Sequence, residues 1–208
     1  AHAMDRAVRV ERADKQFVVS TESARKLETR ALIVATGAMP KRLGVPGESK
    51  LVGQGISYSA ISHAPLFIDR QVALVGAGQD GLRAAAELAC VVNKVYAVLP
   101  AQDLNTPIGD KLRGDAKVEL LADYRLKEVL GEERVQGVVL GQNGSARRVE
   151  VDGLFVELGL HPNSQIVADL VNLTPDKRIV IDGRGATSCA GIFAAGDVTD
   201  TYAEQVLI

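Results

Sequence analysis

The chain has 208 residues, enough for one ordinary domain or two small ones. Its apolar share of 47% and charged share of 24% are those of a globular protein and exclude a disordered or fibrous chain. A net charge of −2, an aromatic share of 4% and the lack of tryptophan argue against nucleic acid or an anionic membrane as a partner.

No apolar run approaches the roughly 20 residues needed to span a bilayer. The first residues lack the basic region and apolar stretch of a signal peptide. Cys90 and Cys189 make no disulfide framework, so a cytoplasmic, reducing setting is expected. Both cysteines read as inert buried thiols. No His/Cys spacing suggests a metal site.

In chain order, Val8–Glu11, Phe17–Thr21 and Ala31–Ala35 read as a three-stranded meander. A turn-rich stretch follows, through Thr36-Gly37-Ala38-Met39-Pro40, Pro46-Gly47-Glu48 and Gly53-Gln54-Gly55, and marks a domain boundary. Gln71–Val75 is a short apolar run of the kind that forms a buried parallel strand. Leu82–Val92 reads as a helix with Ala85, Ala86 and Ala89 on a small-residue face. Lys94–Leu99 is a second strand, stopped by Pro100. Lys117–Leu120, Tyr124–Leu130, Val135–Gly141 and Arg147–Val151 read as further strands, the last three as a meander. Leu154–Leu158, Ile179–Asp182 and the start of Gly191–Asp197 complete the strands, and Tyr202–Ile208 begins a helix. The class is α/β.

Between the Gln71 strand and its helix stands Gly76-Ala77-Gly78-Gln79-Asp80-Gly81, a G-x-G-x-x-G turn in the context that a dinucleotide site requires. Gly76 permits the tight turn. Gly78 has no side chain to keep a pyrophosphate from the backbone. Gly81 lets the helix approach the strand, and the helix N-terminus offers free N–H groups. The same glycines also suit a turn that serves packing alone. An acidic residue at the end of the next strand would take the ribose of NAD, and arginines would take the 2′-phosphate of NADP. That end reads Val98-Leu99-Pro100-Ala101-Gln102-Asp103, without arginine. Asp103 reads as too far along to serve, and Asp80 would repel an incoming phosphate. Whether NAD(P) binds is therefore left open.

Three more segments carry a family pattern: Ala31-Leu32-Ile33-Val34-Ala35-Thr36-Gly37, Gly153-Leu154-Phe155-Val156-Glu157-Leu158-Gly159-Leu160-His161-Pro162-Asn163, and Gly191-Ile192-Phe193-Ala194-Ala195-Gly196-Asp197. With the glycine turn between the first two, the chain resembles the thioredoxin reductase-like, FAD-dependent pyridine nucleotide–disulfide oxidoreductases. The resemblance implies a Rossmann-like NAD(P)-type domain inserted into an FAD domain. Residues 43–157 would form the former, and residues 1–42 and 158–208 an incomplete version of the latter. It assigns Gly76, Gly78 and Gly81 to NAD(P), and Thr36, Gly37, Gly196, Asp197 and Gln205 to FAD. The alternative for Asp197 is a plain turn or helix cap.

The chain departs from that pattern in three ways. The C-x-x-C of the redox segment is Ser59-Ala60-Ile61-Ser62, and serine cannot carry electrons as a thiolate. His63 stands where the family has an acidic residue, either as a repurposed acid–base group or as a plain loop histidine. The cofactor arginines are missing, and so is the family's N-terminal glycine turn for the FAD pyrophosphate. The expectation is part of a flavoprotein that passes reducing equivalents from NAD(P)H to FAD and an acceptor, inactive alone. The open alternatives are a non-catalytic nucleotide-binding or interaction module and a diverged flavoenzyme using neither NADPH nor a dithiol. A homodimer or a redox-protein partner fits either; uncovered sheet edges favour association.

Overall fold

The computed structural model describes residues 4–201. It divides into two compact units, Ala1–Met39 with Leu160–Ile208, and Pro40–Gly159.

The first unit opens with β1 (Ala7–Ala13), β2 (Gln16–Thr21) and β3 (Lys26–Thr29), an antiparallel sheet in that order. Phe17, Val19 and Thr21 alternate inward along β2, as a half-buried strand requires. The third strand differs from the sequence reading. Polar Lys-Leu-Glu-Thr takes the meander place, while apolar β4 (Leu32–Val34) leaves the meander altogether. A short β5 (Ala38–Pro40) follows.

The second unit begins with α1 (Glu48–Leu51), β6 (Ile56–Ser57) and α2 (Ala60–His63). Then come β7 (Gln71–Gly76), α3 (Gly78–Val91), β8 (Lys94–Val98), α4 (Pro107–Gly114) and β9 (Val118–Leu120). The meander β10 (Arg125–Leu130), β11 (Gly137–Gln142) and β12 (Ser145–Glu150) leads into β13 (Gly153–Glu157). Five strands pair in the order β6-β13-β7-β8-β9, all parallel. Such a sheet must be covered on both faces. Val72 and Leu74 of β7 pack with Leu82, Ala85 and Leu88 of α3. Ala73 and Val75 point the other way, onto Val138, Leu140 and Val149 of the β10–β12 meander. That is why β7 is apolar without alternation. The sequence reading missed α4, which is short, starts with Pro107 and is capped by Thr106 Oγ1 accepting from Gly109 N at 3.2 Å.

The chain returns through β14 (Leu160–Pro162), paired with β5, and β15 (Ile192–Ala194), parallel to β4. Ile179–Asp182 forms isolated bridges at Ile179 instead of a strand. The Asp182 carboxylate accepts from the backbone N–H of Arg184 and Ala186 and turns the chain there. The helix expected at Tyr202–Ile208 lies outside the described residues. Among those described, no helix is long and apolar enough to cross a membrane.

One buried charge organises the entry to the second unit. Glu48 is 1% exposed. Burial favours its neutral form, but Leu43 N–H (2.9 Å), Tyr58 O–H (2.8 Å) and Gly44 N–H (2.7 Å) converge on it, and together they hold the carboxyl below its ordinary value. The same pair pushes the Tyr58 phenol up to about 12, through burial first and the carboxylate second. A depressed carboxyl stabilises the fold above its unfolded value, and this is lost as pH falls through the folded one. Glu48→Ala is expected to cost about 2–4 kcal/mol in urea denaturation at neutral pH, by orphaning three donors. Tyr58→Phe, which removes one donor, is expected to cost about 1 kcal/mol.

Candidate functional site

The glycine turn is built by contact between backbones. A Cβ on Gly76 would lie 2.7 Å from Gly81 Cα, and one on Gly81 would lie 2.8 Å from the Gly76 carbonyl carbon. Only two glycines let α3 start this close to the end of β7. Gly78 plays the other part: its φ is +62° and nothing lies within 4 Å of where a Cβ would stand. A side chain there would fill open space in front of the helix N-terminus. The turn thus leaves open space in front of the start of α3, where Gly78, Gln79 and Asp80 are exposed.

Asp103 lies closer to the glycine turn than its spacing in the sequence suggests. The 3-10 turn Ala101–Leu104 curls the chain back from the end of β8, and the Asp103 carboxylate accepts from Gly78 N at 2.7 Å. The residue that linear spacing puts out of reach sits on the second glycine. Asp80 is in the first turn of α3, with Arg83 of the same helix 4.0 Å away.

The serine segment lies in the same unit. Ser59 is the N-cap of α2; its Oγ accepts from Ser62 N at 3.4 Å and stands 3.0 Å from Ser62 Oγ. Buried Ser57, which sequence reasoning missed, shares its hydroxyl with the segment: Ser59 N donates to it at 3.1 Å, Ser59 O lies at 3.0 Å and His63 Nδ1 at 2.8 Å. Exposed His63 is thus tied to a hydroxyl. Glu157, at the end of β13, reaches across to accept from Ala60 N at 2.7 Å. Burial pushes its carboxyl up; the Ala60 N–H opposes this, and the charges of Asp80 and Glu87 reinforce it.

In the other unit, Thr36 Oγ1 donates to Asn163 O at 2.7 Å and Asn163 Nδ2 donates to Thr36 O at 2.9 Å. Asn163 N donates to Gly37 O at 3.0 Å, completing a reciprocal clasp. Ala195 N donates to Val34 O at 3.0 Å. Thr36-Gly37 and Gly196-Asp197 therefore follow the C-terminal ends of the adjacent parallel strands β4 and β15, the end at which α/β sheets hold ligands. Gly37 (φ +65°) and Gly196 (φ +80°) both face open space. Arg178, also missed, donates to Asp197 O at 3.0 Å and Thr199 O at 3.4 Å and braces that turn. Gln205 lies outside the described residues. Cys189 is buried as expected, but Cys90 is exposed, because it falls on the solvent side of α3. No group of three or more His, Cys, Asp or Glu among the described residues could hold a metal ion.

The raised Glu157 carboxyl gives a signed expectation. The folded protein holds that proton more tightly than the unfolded chain, so its contribution favours folding at low pH and is lost as pH rises through the folded value. Glu157→Gln keeps an acceptor for Ala60 N–H and removes the charge. Its urea midpoint is expected to rise relative to the parent as pH climbs above the ordinary carboxylate range.

The whole sequence bears comparison with known proteins. Residues 2–207 match the pyridine nucleotide-disulphide oxidoreductase family. One component of the alkyl hydroperoxide reductase of Staphylococcus aureus, its F protein, is 36% identical over 98% of this chain, and the Staphylococcus epidermidis counterpart is 33% identical. The chain spans 41% of the length of these relatives. Among solved structures, thioredoxin reductase from Streptococcus pyogenes superposes with a TM-score of 0.77 at 28% identity, over 96% of this chain and 67% of that one. Glycines packed strand against helix, the Thr36–Asn163 clasp and the match over residues 2–207 agree: the chain belongs to the FAD-dependent pyridine nucleotide–disulphide oxidoreductase family.

Proposed function

We propose that this chain supplies the nucleotide-binding domain and part of the flavin-binding domain of a flavoprotein oxidoreductase that carries reducing equivalents from a nicotinamide dinucleotide to FAD and on to an acceptor. Residues 43–157 form the nucleotide domain in this reading; residues 1–42 and 158–208 belong with the flavin. The observation that carries it is the Gly76–Gly81 contact with open space at Gly78, at the C-terminal end of a parallel strand.

The roles divide accordingly. The N–H groups at the start of α3 bind the pyrophosphate, with Gly76 and Gly81 fixing their direction. Thr36, Gly37, Gly196 and Asp197 hold the flavin's polar chain, with Asn163 and Arg178 as positioning residues. When bound, FAD supplies the two-electron chemistry that the side chains lack. Ser59 and Ser62 occupy the place of the family's dithiol and carry no electrons, so the acceptor differs from a disulfide relayed through this segment. In this reading residues 1–42 and 158–208 make an incomplete flavin site, and these residues alone do not turn over. Calorimetric titration is expected to show 5′-ADP binding, while desalted protein is colourless and does not oxidise NADH. Flavin retained after desalting would contradict the incomplete site, and failure to bind 5′-ADP would contradict the nucleotide domain.

The second reading, an interaction module, draws on β4 and β15. Phe193 and Ile33 are paired in register and are 40% and 72% exposed, leaving an apolar face bare on a parallel pair. A stable dimer in light scattering without any nucleotide affinity would favour it.

The serine segment keeps a frame suited to a bridge, since the two hydroxyl oxygens are already 3.0 Å apart across one helical turn. The double variant Ser59→Cys/Ser62→Cys is expected to form a disulfide on mild oxidation. Thiol titration of the unfolded protein would then find the same two cysteines as the parent.

A further inference from the structure

Glu157 is bonded both to the glycine turn and to the serine segment. It is paired in register with Gly76 on the neighbouring parallel strand. Its backbone carbonyl accepts Ala77 N–H at 3.1 Å, and Ala77 is the N-cap of α3. Its side chain reaches α2, where Oε1 accepts the N–H of Ala60, the first residue of that helix, at 2.7 Å. The carboxyl is therefore held by the fold, with its backbone tied to the turn and its head tied to α2.

The charges around it are mostly of its own sign. Burial disfavours the carboxylate, and the Ala60 N–H opposes this; Asp80, in the first turn of α3, and Glu87, further along the same helix, add negative charge. Arg83 lies 4.0 Å from Asp80. The titratable side chain of α2 is His63, whose Nδ1 is engaged at 2.8 Å by the Ser57 hydroxyl. Strands β6 and β7 and the rest of β13 carry no charged side chain. A charge placed where α3 begins is thus already felt at Glu157, as Asp80 shows. A pyrophosphate seated on the N–H groups at the start of α3 would bring more negative charge to the same place. Such linkage is reciprocal: an anion that penalises the carboxylate is itself bound more tightly when the carboxyl is neutral.

We propose that an anion at the glycine turn and a proton on Glu157 are taken up together, so that the site binds a dinucleotide more tightly as pH falls. The proposal rests on the nucleotide-binding reading above and deepens it by making the affinity of that site proton-linked. Glu157 is here a regulatory residue placed beside the pyrophosphate seat, and it need not touch the ligand.

The test titrates the chain calorimetrically with ADP-ribose, whose pyrophosphate is a dianion that does not titrate in this range. The titration is repeated in buffers of different ionisation enthalpy and over a pH series rising from the ordinary carboxylate range. The parent is expected to lose about 10-fold in affinity across the range in which Glu157 gives up its proton, which corresponds to about half a proton taken up per ligand at the midpoint. The apparent enthalpy then varies with the buffer. Glu157→Gln, which keeps an acceptor for Ala60 N–H, is expected to bind ADP-ribose with an uptake smaller by that half proton; the ligand's own groups and Asp80 contribute equally to both proteins. A parent whose affinity and enthalpy are indifferent to pH and buffer would overturn the proposal and leave the nucleotide-binding reading intact. An undiminished proton uptake in Glu157→Gln would overturn it as well. If ADP-ribose binds at no pH, the nucleotide-binding reading itself fails and takes the linkage with it.

Discussion

The contact between Gly76 and Gly81 is the constraint from which the second unit follows. Two backbones meet where any Cβ would intrude to within 2.9 Å of the other glycine. That contact places the N-terminus of α3 directly over the end of β7. Leu82, Ala85 and Leu88 then fall on Val72 and Leu74, and one face of the parallel sheet is covered. The other face is left to the β10–β12 meander. The turn that makes room for a ligand is thus the turn that makes the sheet pack, and Gly78 alone is spared from packing.

Around this apolar frame the unit carries carboxylates with contrasting environments. Glu48 is buried but surrounded by donors, so it stays ionised and pins Leu43, Gly44 and Tyr58 together. Glu157 is burdened by burial and by Asp80 and Glu87, and one N–H, from Ala60, opposes that. The first is a structural charge. The second links β13 to the first residue of α2, and so couples the sheet to the serine segment. Asp103 is the third case, a carboxylate presented at the edge of an open site.

Much of this is legible in the sequence because it depends on local pattern. The buried strand at Gln71, the strand–glycine–helix order and the late meander all announce themselves through apolar runs and turn residues. The family follows from four short segments read together. What stays hidden depends on tertiary pairing. Lys26–Thr29 is too polar to read as a strand, and it becomes one because β2 offers it an edge. Leu32–Val34 looks like a meander strand until Ile192–Ala194 arrives from far along the chain. Residue spacing discounts Asp103 because it assumes an extended path, whereas the 3-10 turn folds it back onto Gly78. Cys90 escapes because a helix with a small-residue face need not be buried all round.

The account stands or falls on the glycine turn as a nucleotide seat. The most direct measurement follows the backbone amide resonances of the labelled chain as 5′-ADP is added. The predicted result is saturable shifts led by Gly78 and its neighbours from Ala77 to Asp80, together with Asp103. An unchanged spectrum, or shifts confined to other parts of the chain, would contradict it.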